Sequence, residues 1–199
     1  MRSALIALAL LAAPAAAQMP APGTPDTTRA VAGTYQVDSG HTQVLFTVTH
    51  LGFSEYTGQF TQPTGTLVLD PARPADSKLD ISFAIDKVST TVAALDAHLK
   101  KPEFFDAAKY PTARFVSTKV TVTGRTATIT GNLTLKGVTK PVVLAARFVG
   151  AGPNPMTKKT NIGFAATTSI KRSDFGISYG IPAVSDEVRL TINAAFEAQ

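Results

Sequence analysis

Few side chains in this chain can move a proton near neutral pH: His41, His50 and His98 are its only histidines, and it has no cysteine. His41 follows Asp38 by three positions and His98 precedes Asp106 by eight, so each histidine has a carboxylate that could join it in an acid–base pair. No serine is expected in the strained strand-to-helix elbow that makes a hydroxyl nucleophilic, so neither pair has an obvious group to activate. The histidines are too scattered for a close metal-ligand pair and there are no thiolates to complete a zinc set, so no metal site and no cofactor is expected. Arg172 and Asp174 flank a tight turn before Phe175-Gly176 and predict a local salt link. Asp38, His41, His98, Arg172 and Asp174 are therefore candidates for capping and turn-making, or for the mouth and headgroup contacts of a binding site. No catalytic residue is assigned and the chain is not read as an enzyme.

The elements that must position these residues are mostly strands. Tyr35–Asp38 is extended and leads through a turn at Ser39-Gly-His41 to a run in which Val44, Phe46 and Val48 face one way and Thr47 and Thr49 the other. Tyr56–Asp70 reads as a second long strand broken near Gln62-Pro63, and Leu79, Ile81, Phe83 and Ile85 alternate cleanly in a third. Thr112–Val122, Thr126–Lys136, Val142–Val149, Asn161–Ile170 and Val188–Phe196 supply the rest, with a hairpin at Gly124-Arg125 and a loop over Gly150–Pro155. The helical exception is the stretch Val88–Pro111. Hydroxyls of Ser89, Thr90 and Thr91 can cap its start, Val92, Leu95 and Leu99 make an apolar stripe, and Pro102 ends it ahead of Phe104-Phe105.

About eight antiparallel strands are enough to close a barrel, so the fold class is all-β: an eight-stranded antiparallel barrel with a helical insert near Thr91–Phe105. A two-sheet sandwich is the second choice. An outer-membrane barrel would alternate in the same way with its oily face outward, but modest aromatic content and the paired phenylalanines of the insert favour an oily interior. That interior is expected to gather Phe46, Val48, Phe60, Ile81 and Phe83 from the first three runs, then Phe115, Ile129, Leu133, Phe148, Phe164, Leu190 and Ile192 from the later ones. Leu95, Leu99, Phe104 and Phe105 are expected to cover it. The space they enclose is either a filled core or a cavity that accepts a lipid-like molecule.

Composition sets the remaining bounds. The chain has 199 residues, 44% of them hydrophobic, ample for one domain with a real core. Met1–Ala17 carries Arg2, an apolar run and Ala15-Ala16-Ala17, the pattern of a signal peptide cut after Ala17. Residues 18–33 then form a flexible leader, and the domain spans 34–199. A periplasmic or secreted location follows. Nineteen Lys plus Arg against 14 Asp plus Glu is a mild excess, and its basic doublets are dispersed, which argues against nucleic acid but leaves room for transient contact with an anionic membrane. Oligomeric state is open, a homodimer included.

Tyr35-Gln-Val-Asp38 with His41, Gly58-Gln-Phe60, Thr91 with Asp96-Ala-His98-Leu99, Phe104-Phe105-Asp106 and Tyr110-Pro111 occur in order. Gly131-Asn-Leu-Thr-Leu135, Gly137-Val-Thr-Lys-Pro141, Arg172-Ser-Asp-Phe-Gly176 and Asp186-Glu-Val188 follow them. Together they resemble the YceI-like family of exported polyisoprenoid-binding proteins over Tyr35 to about Phe196. The chain departs at Lys136, where many relatives carry His. The resemblance implies a lipocalin-like barrel that holds a long isoprenoid chain, such as a quinone or polyprenyl phosphate. The expected function is thus an exported lipid carrier. The alternatives are an enzyme on the same barrel with a histidine base, or a structural, stress-protective domain with a filled core.

Overall fold

A computed structural model describes residues 21–199, so the expected cleavable segment Met1–Ala17 lies outside the described residues. Eleven strands are formed: β1 (Gly33–Val37), β2 (Gln43–His50), β3 (Ser54–Phe60), β4 (Thr64–Leu69), β5 (Lys78–Ala84) and β6 (Val88–Ser89) come first. After helix α1 (Ala93–Leu99) follow β7 (Thr112–Thr123), β8 (Thr126–Leu135), β9 (Val138–Pro153), β10 (Thr160–Lys171) and β11 (Glu187–Ala198). All strand pairings are antiparallel, in the order β1-β4-β5-β7-β8-β9-β10-β11, and β11 pairs with β1 to close a ring of eight. Closure excludes the sandwich alternative.

The eleven strands are eight staves, three of them broken. β11 pairs with β1 through Phe196 to Ala198 and, nearer its start, with β2 through Arg189 to Asn193. β1 and β2 are therefore successive pieces of one stave, as are β4 and β3, and β5 and β6, each joined at the same level of the barrel. Each break has a local cause. Asp38 accepts the backbone N–H groups of Gly40 and His41 and turns the first corner, where the Thr42 hydroxyl joins the Asp38 N–H in donating to the Ala195 carbonyl and accepts the Ala195 N–H. Gln62 at φ 56° with buried Pro63 bends the second, and a 3-10 turn over Ile85–Lys87 bends the third. Ile85, expected to continue its strand, instead opens that turn while keeping its side chain 1% exposed.

Two other expectations change. The loop expected over Gly150–Pro155 is mostly strand, because β9 runs on to Pro153 against Thr160. Residues 21–33, read as a leader without regular structure, lie along the barrel end. Thr24 and Ala151 exchange backbone hydrogen bonds of 3.1 and 3.0 Å, Asp26 caps a 3-10 turn over Thr27–Arg29, and the Tyr35 hydroxyl donates to the Val31 carbonyl. Thr24 thereby covers the stretch of β9 that looked like loop.

The inward faces bury two packed clusters rather than one. Phe115, Leu135, Leu144 and Phe175 belong to the upper cluster, at the end that carries the insert; Tyr35, Ile81, Phe148 and Phe196 belong to the lower, and Leu79 packs against both. Outward positions carry polar cross-strand pairs, among them Thr47 with Thr57, Thr134 with Thr139 and a two-bond link from Arg114 to Asp80. No helix among the described residues is long and apolar enough to cross a membrane. Phe46 and Phe115 lie across neighbouring strands at Gly58 and Gly131, where a Cβ would run into the ring.

At Gly131 the obstruction includes backbone, since a Cβ there would sit 2.6 Å from the Val116 carbonyl oxygen, whereas at Gly163 its nearest neighbour is 3.7 Å away. Gly131→Ala is expected to destabilise the protein by roughly 1–3 kcal/mol through forced repacking. Gly163→Ala should be neutral or gain up to about 1 kcal/mol from reduced unfolded-chain entropy. Denaturant titration of both variants is the check; equal stability of the two would contradict the packing described.

Candidate functional site

The barrel interior holds two chambers lined mainly by apolar side chains. The upper one, of about 230 Å³, is lined by Phe46 and Val48 of β2, Phe60 of β3, Ile81 and Phe83 of β5, Phe115 of β7, Leu133 of β8 and Leu190 and Ile192 of β11. Leu99, Phe104 and Phe105 of the insert close it. The lower chamber, of about 490 Å³, takes in Ile129, Phe148, Phe164 and again Ile192. Leu79, Leu144, Ala194 and Phe196 line both, so the two meet at mid-barrel. Among the described residues, Thr42, Thr168 and Arg172 are the only polar ones on the upper chamber's lining.

Of the residues expected to face the interior, Leu95 alone lines neither chamber. α1 has only seven residues and starts at Ala93, so Val92 falls outside it and is 48% exposed. The stripe narrows to Leu99, which reaches the chamber, while Leu95 stays half-buried in the first turn. The expected hydroxyl cap is also replaced. Val92 at the helix start offers no side-chain cap, and Asp96 within the helix reaches back to accept from the Thr90 N–H at 2.6 Å and the Thr90 hydroxyl at 2.7 Å. Past Pro102 the chain coils in turns, with the Phe105 and Ala107 N–H groups bonding the Leu99 and Lys100 carbonyls. This folds the paired phenylalanines under the helix. Phe105 meets Phe60 edge-on at 5.4 Å, and Phe104 meets Tyr179 at 5.3 Å.

Tyr179 belongs to a second cover, residues 172–186 between β10 and β11. Arg172, 7% exposed, organises it. Its guanidinium donates to the carbonyls of Ser185 (2.9 Å), Ile177 (3.1 Å), Tyr179 (2.8 Å) and Val184 (2.9 Å). The salt link expected with Asp174 is absent, because the loop carbonyls already surround the guanidinium and Asp174 turns to solvent. Burial draws the Arg172 pKa below its ordinary value, opposed by the charge of Asp186. Asp186 is itself held below the usual carboxylate range, first by the Ser173 N–H (2.9 Å) and then by the Ser173 hydroxyl (2.7 Å). Lys136, in the β8–β9 turn, links the two covers: its Nζ donates to Pro102 at 2.8 Å and to Gly176 at 3.2 Å.

The remaining polar candidates stand apart from the chambers. His41 pairs with Asp38 (Nδ1 to Oδ2, 2.7 Å) on the outer corner between β1 and β2, with its side chain 80% exposed. His98 faces Glu103 at 3.6 Å rather than Asp106, wedged edge-on against Phe104. Against the expectation that no serine stands in a Gly-x-Ser-x-Gly elbow, Gly176-Ile-Ser-Tyr-Gly180 carries those letters. It lies in the loop after a 3-10 turn instead of between strand and helix, and no histidine bonds Ser178 among the described residues. No group of three metal-ligating side chains gathers among the described residues. Alternation missed the lining residues Ile177 and Val184, which come from an irregular loop with no period to betray them; Val142 and Leu144, on a strand it did find, were legible by the same rule.

Residues 35–196 match the YceI-like domain family. Protein YceI of Salmonella arizonae is 41% identical over 166 residues, covering 82% of this chain and 86% of that protein. Among solved structures, the Campylobacter jejuni YceI protein superposes with a TM-score of 0.68 at 33% identity, covering 76% of this chain and 90% of that one. Burkholderia cenocepacia BcnA (TM-score 0.72, 23% identity, 80% of this chain and 98% of that one) shares the fold. So does a polyisoprenoid binding domain from Saccharophagus degradans (TM-score 0.63, 16% identity, 83% and 98%).

The loop's acid sensitivity follows from Asp186. Its folded-state pKa lies below the unfolded value of about 4, so its stabilising contribution is complete above that value and is lost as pH falls through the lower, folded one. Asp186→Asn should therefore flatten the acid limb of a stability-against-pH curve, as measured by melting temperature. An unchanged acid limb would remove Asp186 from the account of the loop.

Proposed function

This chain belongs to the YceI-like family, and from that premise we propose that it is a carrier that holds one long apolar chain of the isoprenoid class inside its barrel, without a reaction of its own. The observation that carries the reading is the pair of abutting chambers, lined mainly by apolar side chains and closed above by aromatic ones. A purely structural domain has no need of such a space, and an apolar cavity gains from an apolar guest. Each buried methylene contributes about 0.8 kcal/mol before ordering costs, so tail length can dominate affinity with few polar contacts. The name of the Saccharophagus degradans relative, a polyisoprenoid binding domain, points the same way. Residues 1–17 support export, and with it a periplasmic or secreted carrier.

Mass spectrometry of an organic extract of the purified protein is expected to find a bound prenyl lipid. With delipidated protein, affinity for isoprenoid alcohols should rise at least roughly tenfold per isoprene unit until the chambers are full, the ~4 kcal/mol of its five carbons being reduced by ordering costs. Equal binding of short and long chains, or a protein that never carries lipid, would overturn the carrier. Phe105 is half-buried, so Phe105→Ala should cost the empty protein about 2 kcal/mol, less than the ~3–5 kcal/mol of a fully buried Phe, while weakening retention of the longest chain. A melting temperature that falls with retention unchanged would leave Phe105 as core alone.

A further inference from the structure

The two ends of the interior are closed by unequal amounts of structure. Above, Arg172 fixes the loop through four carbonyls, Lys136 ties that loop to the insert, and Phe175 and Ile177 are buried. Below, the chamber is bounded by Pro71 and Pro74 of the β4–β5 loop, Gly124 of the β7–β8 hairpin, and Thr27, Thr28 and Ala30 of the segment ahead of β1. That segment alone of the three is not a connection between paired strands. None of residues 21–34 is buried, and of their apolar side chains only Ala30 packs against the lower cluster. Among the described residues, 22–31 hold the barrel by three hydrogen bonds: Thr24 and Ala151 exchange two, and the Tyr35 hydroxyl donates to the Val31 carbonyl at 2.7 Å. The segment's other bonds are internal. Asp26 caps the turn over Thr27–Arg29, and Arg29 Nη1 donates to the Thr24 hydroxyl at 3.1 Å.

Residues 22–30 can therefore swing away about Val31 as a folded unit, losing two bonds whose groups water then satisfies. Their seat on the wall is shaped for close contact. β8 pairs with β9 no further than Arg147, so the far end of β9 has a free edge, and Thr24 takes it. Gly150 and Gly152 flank Ala151 there. A Cβ on Gly150 would fall 2.9 Å from the Thr24 carbonyl oxygen, and one on Gly152 would fall 2.1 Å from that of Pro22, so this approach of two backbones requires glycine. We propose that residues 22–31 are the door of the lower chamber, and that the guest chain enters and leaves past them while the upper covers stay shut. This assignment rests on the reading that the barrel holds an isoprenoid-like chain.

Delipidated protein loaded with geranylgeraniol and mixed with excess phosphatidylcholine vesicles tests it, with the rate of transfer followed and the melting temperature measured alongside. Gly152→Ala displaces Pro22 and should speed release about tenfold, while Gly163→Ala, whose Cβ has 3.7 Å of clearance, should leave the rate unchanged. Lys136→Met, which unlinks the upper covers, should leave it unchanged too. Thr24 and Ala151 exchange both backbone bonds, which sets their Cα atoms at the ~5.5 Å that a disulfide can span. Thr24→Cys combined with Ala151→Cys, in a chain with no other cysteine, should slow release when oxidised and restore it on reduction. A rate unmoved by Gly152→Ala or by the cross-link, or one raised by Lys136→Met, would overturn the door alone. Should Gly152→Ala lower the melting temperature, the cross-link decides by itself. Failure of geranylgeraniol to load would overturn the carrier reading, and this proposal with it.

Discussion

Everything in this barrel depends on one strand pairing with two neighbours along a single edge. β11 takes β1 beside Phe196 and β2 beside Leu190, and the corner between them, at Asp38 to Thr42, lets the sheet close without leaving an unpaired row of amides. The Ala195 carbonyl accepts from both the Asp38 N–H and the Thr42 hydroxyl, and the Ala195 N–H donates to that hydroxyl, so the corner leaves neither polar group of Ala195 unsatisfied. A closed ring with apolar inward positions must enclose either packed side chains or a void. Here it encloses both: two packed clusters with a chamber in each half.

Polar residues at the upper end maintain the covers. Arg172 holds a loop without regular structure by satisfying four of its carbonyls, which a lysine, with three donors and a point charge, could not reproduce. Asp186 secures the other side of the same loop through Ser173, and Lys136 joins the loop to the insert. Charged residues here do structural work next to an apolar space, and a buried guanidinium is tolerable because its hydrogen bonds are made.

Period-two alternation made the staves legible, down to the break at Gln62-Pro63, because inward residues must be apolar wherever a sheet encloses a core. It placed Phe46, Ile81, Phe115 and Leu133 on the interior without any knowledge of pairing. The double duty of β11 was not legible, since register is a property of two segments and appears in neither. Nor was the division of the interior into two packed clusters, which meet at Leu79 and depend on how side chains from different strands come together. The insert was found by its stripe and proline, yet its cap was assigned backwards: a hydroxyl before a helix and a carboxylate inside it can each serve the other, and Asp96 with Thr90 took the second arrangement. The role of Arg172 was hidden because its partners are carbonyls, which every residue has.

The three corners fall at one level on three adjacent staves, while the five staves from β7 through β11 run without such interruption. Stiffness of the wall is therefore unequal around its circumference. A ladder that stops and restarts resists bending less than one that continues, so the jointed side is where the wall yields and the continuous side is its spine. A guest thicker than the resting space would be accommodated by the jointed wall bowing outward at Asp38–Thr42, Thr61–Pro63 and Ile85–Lys87. The barrel thus has a built-in direction of expansion.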